Sequence, residues 1–594
     1  MNQKLEAALN LSLSLPEQER LKNPVLRSGY DPETKNWKLI LLYTGSLENV
    51  QANVPFQSIS LLGNYAIITI ATDRIPDLLP FPEILFLELP RPLYLDAITG
   101  IEASCFSGRP FLPVEESVRS DHFSSDSFSA GELTGKGTVI AILDSGVDYK
   151  HPDFCTISSQ SRIISYWDQT LPYDGSNSYK MGMIFSNEDL NALISGRILS
   201  PAPSTDSSGH GTHIAGICAG NGRNSNGKNH GAAPEASLLV VKLKNDANSV
   251  YTDYANLMMA IDYVVKYASA QGLPLTINIS YGSNDGSHDG NGLMERFISN
   301  CIFYGKNTVV VATGNEGLSR RHSQITVPSG QRTSVPFSVA PGETSLYLQL
   351  WKYPSDSFSY ELFLPGLRSH ITIPESPGIY SYILGNHKIG LIISEPTPYQ
   401  PLQEVFFSII PSPGNITLSP GTWQLSIHSV NTVNGRANLW LPSKEATNSA
   451  TGFLNPSTDM TFTIPSTAAN VLSVSGYDSS TDVFASFSGK GFSNQQNTKP
   501  DLTAPAVNIL STAPGGGYSI RTGTSMAAPF VSGASSLLME YGIVLGNDPF
   551  LYGEKIKALL WRGARPLPAF TEYPNDSVGW GALCYLLSMT SLMS

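Results

Sequence analysis

The sequence lacks any run of apolar residues long enough to cross a membrane. The apolar stretch near its end, Leu583–Leu587, has only a few residues, whereas a membrane-spanning helix needs about 20. The first residues, Met1–Leu15, lack the continuous apolar segment and the small-residue cleavage site of a secretory leader. We therefore expect no membrane partner, and a protein that is kept inside the cell or leaves it by another route.

Cysteine is also scarce, with 5 in a chain of 594 residues. The five are Cys105, Cys155, Cys218, Cys301 and Cys584. Their number is odd and no two form a CxxC pair, so the sequence predicts free thiols rather than a disulfide framework or a cysteine-bound metal.

Charged residues make up only 14% of the chain, and positive charge is in deficit, with a net charge of −12. Because phosphates and anionic lipids repel an acidic surface, this balance excludes nucleic acid as the main partner. The hydrophobic content of 41%, with 51 Gly and 41 Pro, predicts a well-packed globular protein that is rich in loops.

Three motifs carry an acid, a histidine and a serine, in that order. The apolar run Thr138–Leu143 predicts a buried parallel strand, with Asp144 just past its end. The segment GHGTHIAG predicts a helix that starts at His210, and GTSMAAP predicts a loop-to-helix turn that exposes the hydroxyl of Ser525. A serine is a weak nucleophile until a histidine takes its proton, and an acid fixes the imidazole tautomer. The motifs predict a catalytic triad, although Gly-Thr-Ser alone could be an ordinary helix cap.

A fourth motif ends in an amide side chain. The run Val309–Ala312 predicts another buried strand, and Asn315 follows it closely. An amide at the end of a strand is suited to donate a hydrogen bond to an oxyanion.

These segments resemble the signature motifs of subtilisin-like (subtilase, S8) serine proteases. The stretches are AILDSGVDYKHPDF, GHGTHIAGICAG, VVVATGNEG and GTSMAAPFVSGA. The resemblance implies that Asp144, His210 and Ser525 form the triad, in the same chain order as in subtilisin, and that Asn315 is the oxyanion-hole amide. Phe530 stands where many members have histidine, which is not a triad position. The alternation of strands and helices predicts the same fold class, an α/β protein with a doubly wound parallel sheet.

The chain divides into four predicted segments. Residues 1–100 form a small α+β unit with strands at Trp37–Tyr43, Tyr65–Ala71 and Ile84–Leu89. Residues 101–320 and 446–594 form the two parts of the α/β core. Between them, residues 321–445 show short alternating strands separated by Pro and Gly, which predict an inserted all-β sandwich or jelly roll.

The position of the N-terminal unit resembles that of the subtilase propeptide. The resemblance implies that the segment Pro90–Asp96 lies in the substrate groove, and we expect self-cleavage between Leu93 and Ser104. The freed prodomain should stay bound, since its Ile67, Ile68, Ile70, Leu85 and Leu87 would otherwise expose apolar surface. A generic N-terminal domain that is never processed remains the alternative.

The whole layout is similar to the Csp germination proteases of spore-forming clostridia. The insertion between the oxyanion amide and the catalytic serine, the opening LNLSL…PEQER and the segment GYDP…WKLILLYTGSL carry this similarity. It implies a cytoplasmic or forespore, spore-associated protease that activates the zymogen of a cortex-degrading hydrolase by limited proteolysis. A general intracellular or exported degradative subtilase, and a catalytically silent scaffold, remain open.

The resemblance also implies how substrate binds. One wall of the cleft is Ser280, Tyr281 and Gly282, beside which substrate adds as a strand; the other is Ala312, Thr313 and Gly314. Neither wall carries a charge, so nothing demands a charged residue before the cut.

No cofactor or metal is expected. His213 lies one turn from His210 without the glutamate of an HExxH zinc site, which favours a structural role. Asp153 matches a calcium-binding position of some subtilases, but the loop 221–230 that would complete that site looks shortened.

Overall fold

The computed structural model of the protein describes residues 1–95, 133–245, 251–366, 370–493 and 498–593. The first of these ranges folds as a small α+β unit. Its elements are α1 (Ala7–Ser14), α2 (Glu17–Arg20), β1 (Tyr30–Asp31), β2 (Asn36–Tyr43), α3 (Glu48–Asn53), β3 (Gln57–Ser60), β4 (Tyr65–Ala71), α4 (Ile75–Leu78), β5 (Ile84–Glu88) and β6 (Pro92–Leu95). Strands β1 to β5 form one antiparallel sheet in the order β1-β2-β4-β3, with β5 beside β2. The three strands predicted from the sequence are therefore confirmed.

The next part of the chain supplies most of the α/β core. Its elements are β7 (Val139–Asp144), β8 (Ile163–Asp168), β9 (Met183–Ser186), α5 (Asn187–Ile194), α6 (His210–Ala219), β10 (Ser237–Lys242), β11 (Tyr251–Asp253), α7 (Tyr254–Ala270), β12 (Leu275–Ile279), β13 (Tyr281–Gly282), α8 (Leu293–Cys301) and β14 (Asn307–Ala312). The serine- and asparagine-rich composition of residues 155–205 is typical of a surface loop, yet β8 pairs with β10 inside the central sheet. Tyr166 and Trp167 of β8 are both buried, on opposite faces of the sheet. The serines and asparagines around β8 make this buried strand hard to recognise in the sequence.

A separate all-β unit follows. Its strands are β15 (His322–Thr326), β16 (Arg332–Val339), β17 (Leu346–Lys352), β18 (Ser357–Phe363), β19 (His370–Ile373), β20 (Gly378–Leu384), β21 (His387–Ile393), β22 (Gln403–Pro411), β23 (Gly421–Asn431), β24 (Arg436–Trp440) and β25 (Gly452–Phe453). They form two antiparallel sheets, β15-β24-β17-β22-β21-β20 and β19-β18-β23-β16-β25. Alternate residues of both sheets share one apolar cluster, so the sheets pack face to face. The more specific jelly-roll assignment stays a prediction, as do the domain boundaries.

The chain then returns to the core. Its last elements are β26 (Leu472–Asp478), β27 (Val483–Phe484), β28 (Phe492–Ser493), β29 (Thr498–Lys499), β30 (Leu502–Pro505), β31 (Ile509–Ala513), β32 (Gly517–Arg521), α9 (Thr524–Met539), α10 (Glu554–Arg562) and α11 (Tyr585–Met593). Strand β27 has only two residues, and the chain turns directly after it.

The central sheet runs in the order β27-β26-β14-β12-β7-β10-β8-β9, with β30 beside β26. Seven strands are parallel to one another, namely β30, β26, β14, β12, β7, β10 and β8. The edge strands β27 and β9 pair antiparallel with β26 and β8. Helices α6 and α9 pack in the apolar cluster on one face, while α7 and α8 pack in the cluster on the other. The predicted α/β fold with helices on both faces is confirmed. Both faces are covered, which explains why strands such as β7 and β14 are buried at every position.

Candidate active site

The acid and the histidine meet at the carboxyl end of the central strand β7. Asp144 is the last residue of β7, and His210 is the first residue of α6. The Nδ1 of His210 donates to Oδ1 of Asp144 over 2.8 Å, and both side chains are 1% exposed. Because Nδ1 carries the shared proton, Nε2 is the acceptor nitrogen of the ring. It has no hydrogen-bond partner within the described part of the chain.

The start of α6 is held against β7 by Asp206, which the sequence analysis missed. One carboxylate oxygen of Asp206 accepts from the N–H of Gly209 and from Oγ of Ser145, and the other accepts from the N–H of Thr212. Such a carboxylate satisfies helix N–H groups that lack partners and complements the helix dipole. An aspartate four residues before His210 was the available signal. Gly209 itself has φ +67°, a left-handed conformation that favours glycine.

Ser525 is the second residue of α9, at the loop-to-helix turn predicted from the sequence. Its side chain is 0% exposed, so the expectation of an exposed hydroxyl is wrong. The first turn of α9 is enclosed because α9 packs on α6 and on strands β12, β14 and β26. The Oγ of Ser525 lies 3.5 Å from the carbonyl oxygen of Ser280, a long hydrogen bond, and is not bonded to His210.

Asn315 lies three residues beyond β14 and is bonded to the residue that precedes the serine. Its Oδ1 accepts from the N–H of Thr524 over 3.0 Å and from Oγ1 of Thr524 over 3.3 Å. This contact fixes the orientation of the amide, and the buried Nδ2 has no acceptor among the described residues. A donor that is buried without an acceptor is available for an oxygen that develops negative charge.

The cleft wall formed by Ser280, Tyr281 and Gly282 is paired with a strand of the N-terminal unit. Strand β6 of the N-terminal unit pairs antiparallel with β13, with Tyr94 opposite Gly282 and Leu95 opposite Tyr281. On its other edge, β6 pairs antiparallel with β11. The end of the N-terminal unit is therefore the middle strand of a three-stranded sheet.

Between the walls lies Thr463, a residue that sequence reasoning did not single out. Its N–H donates to the carbonyl oxygen of Thr313 over 3.0 Å, and it is 2% exposed. A Cβ atom placed on Gly282 or on Gly314 would lie 2.1 Å or 2.4 Å from Oγ1 of Thr463. The Thr463 side chain thus fills the space between the two glycines. No motif marks it, because it follows the all-β unit and is brought here by the fold.

The two metal candidates are engaged by protein groups. Nε2 of His213 contacts the carbonyl oxygens of Ile509 and Ser519 at 3.0 and 3.1 Å, and burial lowers the pKa of His213 to about 3. The carboxylate of Asp153 accepts from the N–H of Asn224 and from the hydroxyl of Tyr518, each over 2.7 Å. Across the described ranges, no group of three or more His, Cys, Asp or Glu side chains is placed to hold a metal ion.

The cysteines that the structure describes are all buried free thiols, and Cys105 lies outside the described residues. Burial raises the pKa of the Cys218 thiol well above its ordinary value, which makes it unreactive. No helix among the described residues is long and apolar enough to span a membrane.

Two family profiles match the chain. The profile described as the Csp protease B prodomain matches residues 3–91, and the profile of the subtilase family matches residues 135–341 and 420–581. The gap in the second match falls within the all-β unit.

Several characterised proteins are similar to the chain. The structure of the Clostridium perfringens CspB protease is 34% identical with a TM-score of 0.72, over 78% of this chain and 94% of that one. The PII-type proteinase of Lactococcus lactis subsp. cremoris is 23% identical over 77% of this chain, which spans about a quarter of that longer protein. The major intracellular serine protease of Bacillus subtilis is 29% identical over 41% of this chain and 62% of its own length.

Proposed function

The chain belongs to the subtilase family, and on that premise we propose that it is a serine endopeptidase that cleaves peptide bonds through an acyl-enzyme. The observation that carries the proposal is the buried 2.8 Å hydrogen bond between Asp144 and His210. That bond leaves Nε2 of the histidine as the basic nitrogen, and the helix of His210, α6, packs against α9, the helix of Ser525.

In the proposed reaction, Nε2 of His210 takes the proton of the Ser525 hydroxyl as Oγ attacks the scissile carbonyl carbon. Asp144 stabilises the imidazolium that results, without being protonated itself. The imidazolium then gives its proton to the leaving amine, and water repeats the sequence to hydrolyse the acyl-enzyme. A short movement of the Ser525 side chain away from the Ser280 carbonyl precedes the attack, since its long hydrogen bond there must break.

The oxyanion of the tetrahedral intermediate is held by Nδ2 of Asn315 and the backbone N–H of Ser525. Both groups lie beside Thr524, whose N–H and hydroxyl hold the oxygen of the same amide. The donors are therefore oriented before the reaction starts, and one such donor is worth about 3–4 kcal/mol of transition-state stabilisation.

The N-terminal unit acts as a self-processed prodomain in this proposal. Strand β6 adds to β13 in the way that an extended substrate would, and it ends at Leu95, opposite the residue next to Ser280. The expected cleavage segment, 93–104, lies mostly outside the described residues. A tethered substrate reaches the serine without diffusion, so the cut occurs in cis even at a mediocre sequence.

The cut prodomain should remain bound, through contacts that differ in part from those expected. Ile67 packs in the same cluster as the core. Ile68, Ile70 and Leu87 point to the other face of their sheet, because side chains alternate along a strand, and they pack in a cluster that the N-terminal unit shares with the all-β unit. The interface is completed by polar contacts. Lys38 pairs with Asp253 at 2.5 Å, and Asp262 accepts from the N–H of Leu62.

The pocket for the residue before the cut is shallow in this proposal. Thr463 fills the space between Gly282 and Gly314, so a large side chain has no room there. The Oγ1 of Thr463 has no partner among the described residues, so it is available to a small polar side chain.

The physiological substrate that we propose is the zymogen of a cortex-degrading hydrolase, cut once by a spore-associated enzyme. The match to the Csp prodomain profile and the similarity to the C. perfringens CspB protease support this role. An enzyme whose own prodomain stays in the cleft suits limited cleavage better than general degradation. Incubating the purified protein with that zymogen, and with casein as a general substrate, tests the choice: a single cut in the zymogen with intact casein supports it, and rapid casein digestion contradicts it.

For the all-β unit we propose a jelly roll that braces the core. The contacts of the all-β unit with both other units support the bracing role. The unit shares an apolar cluster with the N-terminal unit through Tyr347, Ile392 and Phe406, and it contacts the core through Trp440.

A further inference from the structure

The segment of the all-β unit that connects β24 to β25 contacts both sides of the cleft. Directly after β24, Oγ of Ser443 accepts from the backbone N–H of Asn284 over 3.0 Å, and both residues are buried. Asn284 follows β13, the wall beside which β6 pairs. The next residue, Lys444, reaches the opposite wall.

Lys444 contacts Asn315 and Glu316, the two residues that directly follow that wall along the chain. Its ammonium group donates to the carbonyl oxygen of Asn315 over 2.6 Å. Its backbone N–H donates to Oε1 of Glu316 over 3.1 Å, and Glu316 is 2% exposed. A hydrogen bond from an ammonium group to a carbonyl is charge-assisted, and it is shorter and stronger than a neutral one.

The peptide that Lys444 holds carries the proposed oxyanion amide. The side chain of Asn315 is fixed at Oδ1 by Thr524, but its main chain follows Gly314, which has φ +86° and no side chain to restrain it. The carbonyl oxygen of Asn315 accepts from Lys444. The backbone on either side is held by other groups, since Gly489 donates to the carbonyl oxygen of Gly314 and Gly317 donates to that of Phe487, each over 2.9 Å.

Lys444 is itself kept in place by the all-β unit. Four residues earlier, Trp440 is stacked between His288 and His322, with ring centroids 4.3 and 4.7 Å apart. His288 in turn bonds the carbonyl oxygen of Asn284. The position of the ammonium group therefore depends on the packing of the inserted unit against the core.

We propose that Lys444 is a positioning residue that aims the Asn315 amide at the oxyanion, and that the all-β unit acts on the chemistry through it. The proposal rests on the proposed peptidase function. It goes beyond bracing, because it assigns the inserted unit an effect on the rate of the chemical step.

Self-cleavage of the newly made full-length chain provides the assay, because it is a single intramolecular turnover with a first-order rate. Lys444→Met keeps the length of the side chain and removes the ammonium group. We expect it to slow self-cleavage about tenfold, and Lys444→Arg to restore most of the rate. Glu445→Gln is the matched control: it removes the 3.7 Å ion pair with Lys444 and leaves both wall contacts, so its rate should equal that of the wild type.

A double-mutant comparison separates positioning from a general structural effect. Asn315→Ala should slow self-cleavage about 100-fold. If Lys444 acts through Asn315, then Lys444→Met adds less than twofold in the Asn315→Ala background. A wild-type rate for Lys444→Met, or the same tenfold loss in both backgrounds, would overturn the proposal.

Hydrogen exchange, measured in the inactive Ser525→Ala background, tests the contact between Lys444 and Asn315 without any turnover. Lys444→Met should accelerate amide exchange in residues 314–317 several-fold and leave α9 unchanged. Unchanged exchange in 314–317 overturns the positioning role. Absence of self-cleavage in the wild type would instead count against the proposed function, and the exchange result would still decide on Lys444.

Discussion

At the residue scale, each group proposed for the chemistry is held by a neighbour that performs none. Asp206 holds the helix turn that carries His210, and Thr524 holds the amide of Asn315. The proposed catalytic residues could be predicted from sequence because their motifs are local. Thr463 and Lys444 could not, since Lys444 lies within the all-β unit and Thr463 follows it, and both reach the cleft only through the fold.

His210→Ala should abolish self-cleavage, because without the imidazole no base takes the Ser525 proton. Removing the base of such a triad costs about 10⁶ in rate. The cleaved fraction of freshly synthesised chain, followed by gel over time, measures it. A variant that retained more than about a tenth of the wild-type rate would rule out His210 as the base.

Thr463→Gly should enlarge the pocket between Gly282 and Gly314. On the processed protein, we expect kcat/KM for peptides with Phe or Leu before the scissile bond to rise at least about tenfold relative to peptides with Ala. Thr463→Ser removes a single methyl group and should keep the wild-type preference. If the wild type and Thr463→Gly preferred the same residue before the scissile bond, the pocket for that residue would not lie between Gly282 and Gly314.

At the element scale, regular patterns were predictable and irregular ones were not. The sequence shows helical periodicity over Tyr254–Ala270 and an apolar run over Leu275–Ile279, and these are the segments that form α7 and β12. Helix α1 was not predicted, because Leu9, Leu11 and Leu13 also fit the alternating pattern of a strand. Packing against β21 and β22 stabilises the helix. Tertiary contacts that lie far away in the sequence decide such segments.

Trp440→Ala should weaken the attachment of the all-β unit to the core. The side chain is 1% exposed and stacked between two histidines, so its loss should cost about 3–5 kcal/mol of stability. Denaturant unfolding followed by intrinsic fluorescence measures the shift in midpoint. Trp580→Ala is a suitable control, since Trp580 is 37% exposed and should matter much less. Equal shifts in the two variants would contradict a bracing role for Trp440.

At the scale of the whole molecule, the three units meet around a cavity of about 70 Å³ lined by buried carboxylates. Glu6 and Glu88 come from the N-terminal unit, Glu295 from the core and Glu404 from the all-β unit. Arg91 pairs with Glu6 at this junction. Burial raises the pKa of Glu88 to about 8 and those of Glu295 and Glu404 to about 7.

These carboxyls make the attachment of the N-terminal unit depend on pH. The pKa values of these carboxyls are higher when they are buried than when they are exposed. Their contribution to the stability of the attachment is therefore fully present below about pH 4.5, and it is lost as the pH rises through 7 to 8. The cleaved N-terminal unit should therefore dissociate faster at pH 8.5 than at pH 6. Surface plasmon resonance or size exclusion of the two fragments measures the rate.

Glu88→Gln removes the carboxyl whose pKa is raised most and keeps its shape. It should flatten the pH dependence of dissociation between pH 6 and 8.5. Dissociation that accelerated as the pH fell, or a Glu88→Gln variant with the wild-type pH profile, would show that these groups do not govern the interface.

In the reaction that we propose, Ser525 cuts its own chain after the strand that occupies the cleft. Intact mass spectrometry of the purified wild-type protein and of Ser525→Ala tests it most directly. We expect the wild type to give two fragments that co-purify, the smaller of about 100 residues, and Ser525→Ala to give one full-length chain. A wild-type protein that stays full length while a fluorophosphonate probe labels Ser525, or a Ser525→Ala protein cut at the same place, would contradict it.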